Sequence, residues 1–244
     1  MKRQISLLML VSRSQVYRTV VILAAMAAAQ LGLALWRIQH PDINAGVAVE
    51  TVLDWWPFRW TAALAMAGLF VCFGAMGRRS GRVDYTWYRL PVSQATRILW
   101  PLAGGVLLFL LVWAVQLVVA VGVVFLYGQL QPERYHQQTL FLAAYRSSYF
   151  HGLLPLADGW RWVATSFRYV GLGLYGGAAM IRSFRGKRTI HPFVSLIAMT
   201  MITSGLGSYE WDMIVLGVLW FMLCIAVTQL PGRAEPEEEE EETP

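Results

Sequence analysis

Long uncharged apolar runs alternate with short segments rich in Arg, Lys, Trp and Gly along most of the chain. An apolar run of about 18 residues crosses a bilayer as a helix. Residues 16–36, 61–76, 98–127, 162–181, 190–206 and 213–230 meet or approach that length. Because backbone polar groups in lipid must be satisfied within the segment, these runs predict an all-α polytopic membrane protein with about six transmembrane helices. The run at 98–127 is the longest, with Pro101, Gly104 and Gly105 near its start as points where it can bend.

The segments between the runs differ in character. Residues 1–14 place Lys2, Arg3 and Arg13 among Ile5, Leu7, Leu8, Leu10 and Val11, which reads as a short amphipathic helix along the cytoplasmic face. Residues 15–230 then form the transmembrane domain, and residues 231–244 an acidic, disordered tail. The stretch 128–160 is apolar in its middle but broken by Arg146, Ser147, Ser148, His151 and Pro155. It is expected to be an interfacial or re-entrant segment on the outer side. The first run is too long for a signal core of roughly 7–15 residues and is expected to stay in the protein as a span.

Charge sets the orientation. With N- and C-termini cytoplasmic, the inner segments hold Lys2, Arg3, Arg13, Arg18, Arg78, Arg79, Arg82, Arg89, Arg97, Arg182, Arg185, Lys187, Arg188 and Arg233. The outer ones hold only Arg37, Arg59, Arg134, Arg146 and Arg161. This is the positive-inside bias, and it puts Trp55, Trp56, Trp60, Trp160, Trp162 and Trp211 near the outer interface, where indoles settle. Only 14% of residues are charged, against roughly 25% in soluble domains. The net charge of +5 includes the glutamate-rich run 235–242, so the membrane body is more basic than the total. In such a chain that excess reads as positive loops, not as a nucleic-acid surface.

Catalytic signatures are missing from the sequence. It has no HExxH, no GxSxG and no carboxylate pair within a span. His40, His136, His151 and His191 show no ligand spacing, and Cys72 and Cys224 read as small buried hydrophobes. Gly186-Lys187 is followed by Arg188, so there is no phosphate-binding loop. The chain is therefore read as carrying no catalytic site, no metal and no cofactor of its own. Arg168 is the one charge set inside a span. It is a candidate substrate-pathway residue, or else it snorkels to the outer end of its helix. Gly173, Gly176 and Gly177 give the same span a small-residue face suited to close helix packing, within the subunit in preference to a dimer interface.

The segment after the second span is the most informative. Arg78-Arg79-Ser80-Gly81-Arg82-Val83-Asp84-Tyr85-Thr86-Trp87-Tyr88-Arg89 interleaves aromatics with cations, and Leu90-Pro91-Val92-Ser93 leads into the third span with Ser93 as its expected N-cap. A short amphipathic element here can dock in a groove of a soluble partner. It also fits an ordinary positive-inside loop with its aromatics at the interface.

This stretch resembles the one found in type-2 ABC transporter permeases, where L-P-V-S follows the second span and leads into the third. The continuation Gln94-Ala95-Thr96-Arg97 departs from the mixed basic and acidic residues usual there. The six-span layout and amphipathic start are similar to that family as well. The resemblance implies a short cytoplasmic coupling helix formed by Tyr85, Trp87, Tyr88, Arg89, Leu90, Pro91, Val92, Ser93 and Arg97, seated in a separate ABC ATP-binding subunit. It also implies a second permease subunit, ATP and Mg bound on the ATP-binding partner, and residence in the cell membrane as a multi-pass exporter component. A scaffold or sensor without transport, and a secondary carrier or channel, are the competing classes. The first would purify without ATP-linked activity, and the second calls for ionisable groups at mid-membrane.

Overall fold

The computed structural model describes residues 2–40, 48–74, 93–134, 136, 139–156, 159–184 and 220. Among them every regular element is helical. The loop 75–92, the expected spans 190–206 and 213–230 (Trp220 apart) and the tail 231–244 lie outside the described residues.

Helix α1 runs from Lys2–Gln39 without a break, so the basic stretch at the N-terminus and the first span are one helix, with no turn between them. Helix α2 (Val49–Leu53) is a single turn ending at Asp54. Helix α3 is Trp56–Gly74, starting five residues before the expected span. Pro57 permits this early start, because a proline in the first turn has no intrahelical N–H to lose. Helix α4 is Gln94–Leu130 and passes uninterrupted through Pro101. Helices α5 (Thr139–Arg146) and α6 (Ser148–Leu153) follow a 3-10 turn, so the ambiguous 128–160 stretch is built of short helices. Helix α7 is Gly159–Phe184.

Among the described residues, three helical segments are long and apolar enough to cross a membrane: Val16–Gln39, Trp56–Phe73 and Ala95–Leu130. They mark the chain as a membrane protein. Helix α7 is long enough but carries Arg161, Arg168 and Arg182 and is not among the three. Large apolar side chains stand exposed along the spanning helices, including Val20, Leu64, Val71, Leu107, Leu111, Val118 and Phe125. A soluble protein would not leave so much apolar surface bare, whereas lipid covers it at no cost.

Contacts fix the arrangement of the long helices. Trp36 near the end of α1 stacks on Trp55 just before α3, at 5.6 Å between ring centroids. Trp113 of α4 meets Trp162 of α7 edge-on at 5.9 Å. The end of α1, the start of α3 and the start of α7 therefore lie towards one end of the bundle, which α2, α5 and α6 cover. The core runs through Phe58, Met66, Leu69, Phe73, Phe109, Phe150, Leu172 and Met180, all nearly inaccessible. Trp220 packs on the otherwise exposed Phe167 of α7 at 5.7 Å.

In lipid, apolar burial does little to drive helices together, so close packing and hydrogen bonds must hold them. The main contact, α4 against α7, shows how. A Cβ on Gly177 would lie 2.6 Å from Leu102 Cα and 2.7 Å from the Pro101 carbonyl oxygen. A Cβ on Gly173 would overlap Val106, and one on Gly105 would overlap the Gly173 carbonyl. The two backbones touch where glycine removes the side chains, and Gly176 beside them receives the ring of Phe73 from α3. The small-residue face of the fourth expected span thus packs within the chain.

Candidate functional site

Of the residues expected to dock a partner, Tyr85, Trp87, Tyr88, Arg89, Leu90, Pro91 and Val92 lie outside the described residues. Ser93 and Arg97 are described. Ser93 is extended (φ −59°, ψ 149°) and its Oγ accepts from the Thr96 N–H at 3.3 Å, the N-cap expected of it. The Thr96 hydroxyl closes on Ser93 Oγ at 2.7 Å, and the Arg97 N–H donates to the Ser93 carbonyl at 3.1 Å. Ser93 is therefore bonded to the first turn of α4, and Arg97 sits half-buried on that turn.

Arg168 is 8% exposed and is counted among the buried polar side chains. It belongs to a buried polar layer. Next to it, the Tyr169 hydroxyl donates to Gln116 Oε1 at 2.8 Å, linking α7 to α4. Tyr169 also stacks on Trp113 at 5.3 Å. The Trp113 indole N–H donates to the Leu153 carbonyl at 3.0 Å, and the Thr165 hydroxyl to the Gly152 carbonyl at 3.3 Å. Both tie α6 down between α4 and α7. On the far side, Gln30 Nε2 donates to the Phe58 carbonyl at 3.3 Å and to the Tyr149 hydroxyl at 3.5 Å.

The densest polar cluster was not visible in the sequence. It centres on Asp54, at the corner between α2 and α3. Asp54 Oδ1 accepts from Arg59 at 2.7 Å, the Ser147 hydroxyl at 2.9 Å, the Tyr149 N–H at 3.0 Å and the Ser148 hydroxyl at 3.3 Å. Oδ2 accepts from the Ser148 N–H at 3.1 Å. Arg59 bonds the Ser148 hydroxyl as well. A helix start leaves its first N–H groups without intrahelical partners. Here Asp54 takes those of Ser148 and Tyr149, and Ser147 Oγ takes that of Phe150 at 3.2 Å. An acid some ninety residues away in sequence thus completes the cap of α6. The carboxylate also favours the positive end of that helix. Arg146 and Glu50, 3.9 Å apart, add an outer ion pair between the same elements. Burial pushes the Asp54 carboxyl up, but bonds from the Tyr149 amide, Ser147, Arg59 and the Ser148 amide outweigh it and hold the group below the usual carboxylate range.

In the sequence Ser147 and Ser148 read only as polar breaks in an apolar stretch, and nothing local identified Asp54 as their partner. The bonds of the cluster tie the corner between α2 and α3 to the start of α6. Among the described residues, no three His, Cys, Asp or Glu side chains are grouped so as to hold a metal. Comparison of the chain with protein-family models, with curated proteins and with solved structures returns no match.

Proposed function

We propose that this chain is the transmembrane permease subunit of an ATP-driven, ABC-type exporter in the cell membrane. Six spans, both termini in the cytoplasm and a separate ATP-binding subunit make up this reading, with a second permease chain completing the transporter. The observation that carries it is the segment Leu90-Pro91-Val92-Ser93, which resembles the coupling region of type-2 permeases and whose last residue caps α4. A coupling element must transmit force, and a cap that joins it stiffly to a spanning helix suits that task. The excess of Lys and Arg on the same side of the expected topology supports a cytoplasmic location for it.

In this reading ATP and Mg bind the partner, and this chain converts the partner's closure into movement of its own helices. Arg168, inside the bundle, is the residue assigned to the substrate pathway. The test is a gentle-detergent pull-down of the full chain from its native membrane, with mass spectrometry and an ATPase assay on what is recovered. A stoichiometric ATP-binding subunit, released or uncoupled by Arg89→Glu with Arg97→Glu, is the expected result. A chain recovered alone, with no nucleotide-dependent activity, overturns the reading in favour of a scaffold or a carrier.

A further inference from the structure

An open groove runs between α1 and α4 along the last three turns of each helix. Leu31, Gly32 and Leu35 line it from α1, and Gly122, Phe125 and Gln129 from α4. Leu31 and Gly122 meet at its inner end, where a Cβ added to Gly122 would lie 3.9 Å from Leu31 Cδ2. Gly32 opens it: no atom stands within 4 Å of where its Cβ would be. The groove holds about 510 Å³, within the ~300–1,000 Å³ of ligand clefts.

Both walls belong to segments long and apolar enough to span, Val16–Gln39 and Ala95–Leu130, so in a bilayer the groove opens to lipid. Among the described residues its lining carries no charge, and Gln129, in the last turn of α4, is its one polar side chain. Leu35 adjoins Trp36, which stacks on Trp55 at the same end of the bundle, and indoles settle at the membrane interface. From Gln129 at that end the groove descends to Gly122, about 10 Å at 1.5 Å per residue, into a leaflet whose hydrocarbon is ~15 Å deep. Its occupant must be apolar along most of its length and polar only at the interfacial tip.

We propose that this groove seats one acyl chain of a bilayer phospholipid, whose ester carbonyl accepts a hydrogen bond from the Gln129 amide. Left bare, the walls around Gly32 forfeit dispersion contacts, and in lipid such packing is what holds apolar surfaces together. A hydrocarbon chain is flexible enough to follow the groove and restore them. At the tip the chemistry is matched: the amide offers two N–H donors, and a lipid ester offers only acceptors. The inference rests on the membrane location of the two helices and not on the ATP-linked reading of the chain.

Photolabelling tests it. The full chain is reconstituted in phosphatidylcholine vesicles doped with a phosphatidylcholine that carries a diazirine in the upper part of one acyl chain, then irradiated and mapped by mass spectrometry. Leu31, Leu35 and Phe125 are expected to carry severalfold more label than Trp60 and Leu64 of α3, which are comparably exposed. Gly32→Leu fills the open space and is expected to cut the groove label severalfold while leaving Trp60 and Leu64 unchanged. If that variant does not fold, the wild-type comparison still decides. Equal labelling of the groove and of α3 overturns the seated chain, as does groove labelling that Gly32→Leu leaves intact. A Gly32→Cys chain, in a background lacking Cys72 and Cys224, that forms a disulfide-linked dimer while the groove takes up no label also overturns it and gives the groove to a second copy.

Discussion

Asp54 is the residue on which most of the covered end depends. Replacing it with Ala strands the Ser148 and Tyr149 amides and takes from Arg59 its carboxylate. Truncating one side of such a network leaves the other side's groups unpaired, a larger loss than the net worth of the bonds themselves. Asp54 keeps part of its side chain in solvent, 30% exposed, so the full penalty of a buried pair does not apply. Asp54→Ala is expected to destabilise the protein by about 2–3 kcal/mol, read as a lower unfolding temperature in detergent, and Asp54→Asn by less. Titration follows the same logic. The folded carboxyl lies below its unfolded value of about 3.9. Its contribution is therefore complete above that value and is lost as pH falls through the folded pKa. Between neutral pH and about pH 3 the wild type should lose more stability than Asp54→Asn. Equal losses would mean that the carboxylate charge does not hold α6.

At the scale of elements, the α4–α7 contact depends on the absence of side chains. Gly173→Ala places a methyl against the backbone at Val106, which cannot swing aside as a flexible side chain can. A destabilisation of about 1–3 kcal/mol is expected from such overpacking. Gly104, one residue from the interface glycine Gly105, has open space around an added Cβ. Gly104→Ala should instead gain up to about 1 kcal/mol from helix propensity. Opposite signs at an interface glycine and at one just outside the interface, measured by denaturant titration of the folded chain, would separate packing from a general intolerance of substitution. The glycine face and the Ser93 cap were legible because both are local: spacing along one helix reveals them. The division of 128–160 into α5 and α6 was legible only as an irregularity, since six- and eight-residue helices are set by what they pack on. Asp54 with Ser147, and Gln30 with Tyr149, join residues about a hundred apart, and no period or motif encodes such pairs. The single helix from Lys2 to Gln39 was missed for another reason: basic residues suggested a boundary, but charge does not end a helix that lacks a Pro or Gly stop.

For the whole molecule, α4 gives the most direct test of orientation. Its apolar part spans 36 residues, about 54 Å at 1.5 Å per residue, well beyond the ~30 Å hydrocarbon core. At tilts up to about 40°, the range of membrane helices, both ends of α4 would emerge, on opposite sides. Ala95 at its start and Glu133 just past its end are both exposed. The cations of the described segments barely choose a side by themselves: Lys2, Arg3, Arg13, Arg18, Arg97 and Arg182 stand against Arg37, Arg59, Arg134, Arg146 and Arg161. In the proposed topology the choice falls to residues 78–89 and 185–188, seven Lys and Arg in all, for which the positive-inside bias predicts the cytoplasmic side. In a background lacking Cys72 and Cys224, Glu133→Cys should react with a membrane-impermeant maleimide on intact cells, and Ala95→Cys only after the membrane is opened. Because Ala95 lies in the first turn of α4 and Glu133 three residues past its last, each serves as the control for the other. The reverse pattern would put Ser93, Arg97 and the aromatic segment before them outside the cell, where no ATP-binding subunit can reach them. The permease reading would then fall together with the topology, even though the helical packing described above would stand unchanged.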